Sequence, residues 1–111
     1  MRLLVVVLHR EDLLDDVLSA LVELEEPDAV VVESRSGLEL LERDLPIFAG
    51  LRSLVPSGID FSSLVICLIE NDRRAYEALA VIRDLSGTTT EDAGAPRNTA
   101  MLVPVSDVEH F

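Results

Sequence analysis

Residues 3–8, Leu3-Leu4-Val5-Val6-Val7-Leu8, and residues 64–69, Leu64-Val65-Ile66-Cys67-Leu68-Ile69, decide how this chain folds. Each is a short, unbroken apolar run rich in β-branched side chains. Each is closed by a polar break, His9-Arg10-Glu11-Asp12 after the first and Glu70-Asn71-Asp72-Arg73 after the second. Short apolar runs bounded in this way read as buried strands. Laying residues 3–24 over residues 64–85 shows that the likeness continues. Both runs lead into a helical pattern, so the chain repeats one unit.

In the first helix Leu14, Val17, Leu18 and Leu21 recur at the spacing of one helical face. Asp12 is the expected N-cap, Asp15 and Asp16 suit the positive end of the helix dipole, and Pro27 forbids continuation. The second helix has Ala75, Ala78, Leu79, Ile82 and Leu85 on its apolar face. Asn71 or Asp72 is expected to cap it, and Gly87 sits where a left-handed terminating residue belongs. A second strand completes each half: Ala29-Val30-Val31-Val32-Glu33 in the first, Ala100-Met101-Leu102-Val103-Pro104-Val105 in the second. Pro104 cannot donate a ladder hydrogen bond, so the last strand is expected at a sheet edge. Two β-α-β units in tandem predict one α+β domain over residues 1–111. Its expected architecture is a ferredoxin-like βαββαβ sandwich: a four-stranded antiparallel sheet, two helices on one face, and the first and third strands central.

The two central strands also predict that the chain does not act alone. A sheet with one wet face alternates apolar and polar residues. Residues 3–8 and 64–69 do not alternate, and two helices cover only one face. About six large side chains would therefore face water, at roughly 1.5–3 kcal/mol for each aliphatic side chain left unburied. That forfeits on the order of 10 kcal/mol, comparable to a whole domain's stability. The simplest cover is the same face of other copies; the competing cover is the segment 37–61 folded back.

That segment is long for a loop and is not hydrophilic, carrying Leu38, Leu40, Leu41, Leu45, Ile47, Phe48, Leu51, Leu54, Val55, Ile59 and Phe61. Residues 38–43 have helix-forming composition. Pro46 can start a further helical turn, which Pro56 and Gly58 break. Packing on the chain's own body, packing on a neighbour and docking to another protein all remain open here.

The chain has 111 residues, of which 49% are hydrophobic but only 4% aromatic, so Leu, Val, Ile and Ala must fill the core. Its 21 acidic and 9 basic residues give a formal charge of −12, and every basic residue is Arg. A field of that sign repels phosphate backbones, which argues against nucleic acid as a partner. Acidity without lysine fits either adaptation to high salt or the base composition of a genome. No apolar run approaches the roughly 20 residues that span a bilayer, so direct membrane insertion is not expected. The opening apolar run is short for a secretory segment, and the expectation is a cytoplasmic protein. One cysteine, Cys67, excludes an intrachain disulfide and reads as a small buried residue.

No catalytic constellation is visible, so an enzyme is not expected. The two histidines, His9 and His110, lie far apart without a ligand cluster at metal spacing, and no metal site is predicted. His9 and Glu70 occupy corresponding places after the two runs and are candidates to meet at the strand ends.

Several stretches together resemble the nitrogen regulatory PII family of signal-transduction proteins. They are the two β-α-β repeats, the strand ending Glu33-Ser34-Arg35-Ser36-Gly37, the long excursion, and the strand leading into Glu70-Asn71-Asp72. Asp12-Leu13-Leu14-Asp15-Asp16-Val17 is similar to the opening of that family's first helix. Asp44-Leu45-Pro46-Ile47-Phe48-Ala49-Gly50-Leu51-Arg52 is similar to a stretch of a divergent PII-like branch. The resemblance implies a homotrimer with the sheets facing inward. It makes the 37–61 segment the counterpart of the T-loop, which engages a target enzyme or membrane transporter, with Leu45, Ile47, Phe48, Leu51 and Arg52 as docking candidates. It also implies an adenine nucleotide (ATP, ADP or AMP) in clefts between subunits, held by Arg35, Gly37, Gly94, Arg97 and Asn98. The chain departs from the family's pattern at the T-loop base, where only Gly37 stands. It departs again at Thr88-Thr89-Thr90-Glu91-Asp92-Ala93-Gly94-Ala95-Pro96-Arg97-Asn98, which has one cation and two acids. The only tyrosine, Tyr76, lies in the second helix. The alternative reading is a small trimeric metal- or ligand-binding protein similar to the CutA proteins, which share the architecture.

Overall fold

The structure is a computed structural model, and it describes residues 1–35, 37, 40, 61–85 and 97–111. Chain order is β1 (Arg2–Leu8), α1 (Glu11–Glu23), β2 (Val30–Glu33), β3 (Ser63–Ile69), α2 (Asp72–Leu85) and β4 (Thr99–Pro104). The four strands form one antiparallel sheet in the order β2-β3-β1-β4. The fold is therefore α+β and ferredoxin-like, with the two most apolar strands central and Pro104 on an edge strand, as their residues demand. The sequence repeat survives as geometry. β1 and β3, and the starts of α1 and α2, are each 61 positions apart. Because β1 and β3 run antiparallel, Val5 lies directly opposite Ile66, its own counterpart in the repeat.

Side chains alternate across a strand, and directly opposed residues share a face. Leu4, Val6 and Leu8 of β1 join Val65, Cys67 and Ile69 of β3 on the face that both helices cover; none is more than 1% exposed. α1 meets them with Leu13, Val17, Ala20 and Leu21, a face centred slightly before the expected one, leaving Leu14 and Leu18 half-buried at its margin. α2 contributes Ala75, Ala78 and Ile82, with Leu79 half-buried and Leu85 exposed. Its two alanines let the helix backbone approach closely. Cys67 is a free, buried thiol whose pKa is pushed up, chiefly by burial and then by the nearby charges of Glu26 and Asp28.

The helix ends differ in part from expectation. Arg10, not Asp12, occupies the N-cap of α1, in extended backbone and without a side-chain cap. Asp12 falls in the first turn because its carboxylate is engaged elsewhere: the Arg10 guanidinium donates to both of its oxygens, at 2.6 and 3.2 Å. That pairing holds the Asp12 carboxyl below its ordinary value of 3.8. At its C-terminus α1 closes with the N–H of Glu25 donating to the Val22 carbonyl and the N–H of Glu26 to that of Leu21. This leaves Glu25 in left-handed backbone, at φ 62°. The start of α2 is capped as expected by Asn71, whose Oδ1 accepts from the N–H groups of Arg73 and Arg74 at 2.9 and 3.3 Å. Asp72 instead pairs with the Met1 amine at 2.9 Å and lies 3.6 Å from Arg2 Nε. Gly87 lies outside the described residues.

The edge strands differ by one residue from the expected spans, β2 starting one residue late and β4 moved one residue earlier. Ala29 precedes β2 and packs against the core, while β4 gains Thr99 and ends at Pro104. Hydrogen bonding continues a step beyond each. Ser34 N–H donates to the Ser62 carbonyl at 3.1 Å, and Val105 N–H to the Met1 carbonyl at 3.2 Å. Among the described residues, no helix is long and apolar enough to cross a membrane.

Candidate functional site

The first feature is the face of the sheet that neither helix covers. Three residues from β1 (Leu3, Val5, Val7) and three from β3 (Leu64, Ile66, Leu68) form its centre. Val30 and Val32 of β2 and Thr99, Met101 and Val103 of β4 flank them. Of these eleven side chains ten are apolar and none is charged, although 27% of the chain is charged. The six central residues are half-buried, while Val30 is 58% exposed and Val32, Met101 and Val103 about 40% each. Their partial burial lowers the cost expected from the sequence. What remains unburied is worth on the order of 5 kcal/mol.

The second feature is the sheet end where β1 and β2 finish and β3 and β4 begin. Four residues expected at a nucleotide site, Arg35, Gly37, Arg97 and Asn98, belong to this end, beside His9. One chain does not gather them into one pocket. Arg35 follows edge strand β2 and Arg97 precedes the opposite edge strand β4, three inter-strand spacings or roughly 14 Å apart. Both arginines and Gly37 are exposed. A Cβ at Gly37 would meet nothing within 4 Å, so the position makes no steric demand for glycine. Asn98 ties the start of β4 to the end of β1, because its Oδ1 accepts from the His9 N–H at 2.8 Å. Sequence reasoning missed this bond, since its partners are 89 residues apart. A cleft of about 250 Å³ opens beside it, with Val6, Leu8, Leu13, Val17, Leu79 and Ile82 for walls and Arg83, Asn98 and Thr99 among its lining. Gly94 and the docking candidates Leu45, Ile47, Phe48, Leu51 and Arg52 lie outside the described residues.

The expected meeting of His9 and Glu70 does not occur. β1 and β3 are antiparallel, so equivalent repeat positions lie at opposite ends of the sheet; Leu8 is opposite Ser63, and Ile69 opposite Arg2. Glu70 lines a far-end cleft of about 600 Å³ with Glu25, Glu26, Asp28, Asn71, Arg74 and His110. Arg74 offsets part of that acidity, contacting Glu25 at 3.0 Å and Glu26 at 3.7 Å. Among the described residues no three His, Cys, Asp or Glu side chains converge as a metal site would require.

The described residues thus define a small α+β sandwich whose sheet has one apolar face that neither helix covers. No protein-family model matches the chain, and no curated protein matches it.

Proposed function

We propose that this chain is a PII-like regulatory protein that works in the cytoplasm as a homotrimer and acts by binding a target enzyme or membrane transporter. The observation that carries the reading is the eleven-residue sheet face without a charge. A second copy offers the same uncharged surface, and a ring of copies with their sheets inward leaves the acidic helices in water. Such a ring also sets the β2 edge of one copy beside the β4 edge of the next. Arg35 and Gly37 of one copy would then share a seam with Arg97 and Asn98 of its neighbour, and an adenine nucleotide would sit there. The separation of Arg35 and Arg97 within one chain supports a site completed only between copies.

Sedimentation equilibrium of the full chain tests the assembly, with a mass of three times 12.2 kDa as the expected result. A compact monomer at all concentrations would remove the reading. Titration calorimetry with ATP, ADP and AMP tests the seam: binding is expected to be lost in Arg97→Ala while the trimer persists. Binding unchanged by that substitution would place the ligand elsewhere.

A further inference from the structure

We infer that self-association through the open sheet face is gated by ionic strength, an inference that rests on the assembly proposed above. Among the described residues the apolar open face and the charged side chains are segregated. All eleven open-face residues are uncharged, and the helix exteriors display acids such as Asp15, Asp16, Glu23 and Glu77, each exposed. Each copy as a whole carries a net charge of −12. Burial of the apolar face is short-ranged, whereas the repulsion between copies reaches as far as the solvent allows.

The length scales decide which effect wins. Packed sheets lie roughly 10 Å apart, so the bodies behind them are centred roughly 20 Å apart. The screening length is about 30 Å at 0.01 M salt and about 3 Å at 1 M. Screening thus leaves about half of the repulsion between two assembled copies in dilute buffer and almost none in concentrated salt. Salt also strengthens apolar burial when its ions are excluded from the surface, and the two effects have the same sign. The association constant is expected to rise at least roughly 100-fold between about 0.02 and 1 M NaCl.

The test is sedimentation equilibrium of the full chain across that NaCl range, with far-UV circular dichroism on each sample. Asp15→Asn/Asp16→Asn/Glu23→Gln, all on the exterior of α1, takes the net charge from −12 to −9. Repulsion scales with the square of the charge, so the salt slope of the logarithm of the association constant should fall to roughly half in this variant. Tight assembly at every salt concentration would overturn the gating and leave the assembly standing. A triple variant with the full salt slope would overturn it too, because salt would then be acting on the apolar surface alone. Helicity lost together with dissociation at low salt would show that salt controls folding instead. A monomer at every salt concentration would overturn both the gating and the assembly beneath it.

Discussion

Ile66 is the most informative residue to change, because it sits at the centre of the uncharged face with Val5 and Val30 as direct cross-strand neighbours. Ile66→Asp separates the two environments this face can have. If the face is wet, the carboxylate stays hydrated, and the loss is confined to contacts with Val5, Val30, Leu64 and Leu68. Since Ile66 is half-buried, that loss is about 1 kcal/mol, an ordinary cost for a surface position on a strand. If other copies cover the face, the same carboxylate is buried without a partner, at about 3–5 kcal/mol for each copy. Counted per copy, the association constant should then fall between about a hundredfold and several thousandfold, since each 1.4 kcal/mol is a factor of about ten. Ile66→Val removes one methylene and serves as the control, with an expected cost of about 0.5–1.5 kcal/mol and assembly retained. Sedimentation velocity reads the assembly and far-UV circular dichroism confirms the fold. The reasoning is refuted if Ile66→Asp sediments as the parent does, folded and equally associated.

Four smaller outcomes follow from named contacts. Glu25→Gly relieves left-handed backbone at the end of α1, and because the Arg74 contact it deletes is exposed, a net gain of about 0.5–1 kcal/mol is expected in urea unfolding. Asn71→Ala removes the acceptor at the start of α2 and should cost about 1 kcal/mol by the same measurement. The Asp12 carboxyl is held below 3.8 by Arg10, so its contribution is complete above that value and fades as pH falls through the lowered folded one. The stability difference between parent and Asp12→Asn should accordingly shrink in acid, which an unfolding series from about pH 6 to about pH 2 would show. Cys67 should resist alkylation at about pH 8 in the native protein, reacting at least ~100-fold faster in denaturing urea, as followed by mass spectrometry.

The parts of this fold that could be read from the sequence are those in which one residue type implies one environment. Residues 3–8 and 64–69 are apolar on both sides, and that placed them at the centre of the sheet. Pro104 lacks a donor, and that placed its strand at an edge. The helix caps divided on side-chain competition. Asn71 caps as expected, whereas Asp12 is taken by Arg10, a neighbour only two residues away. The pairing of His9 with Glu70 failed for a topological reason: a tandem repeat aligns equivalent positions in sequence, but antiparallel strands carry them to opposite ends. The common end shared by Arg35 and Arg97 was implicit in the element order, and their separation follows once β2 and β4 are both edges. The Asn98–His9 bond had no signal in either neighbourhood of the sequence.

The coincidence of Val5 with its own repeat partner has a consequence for how damage spreads through this molecule. An approximate two-fold axis passes between Val5 and Ile66, so the central sheet has the symmetry of a dimer tied into one chain. Each interior position of β1 has a twin in β3: Leu4 with Val65, Val6 with Cys67, Leu8 with Ile69. A lesion on either member enters the one interior that both halves share, from opposite ends of the sheet, and neither half holds a private interior in which to absorb it.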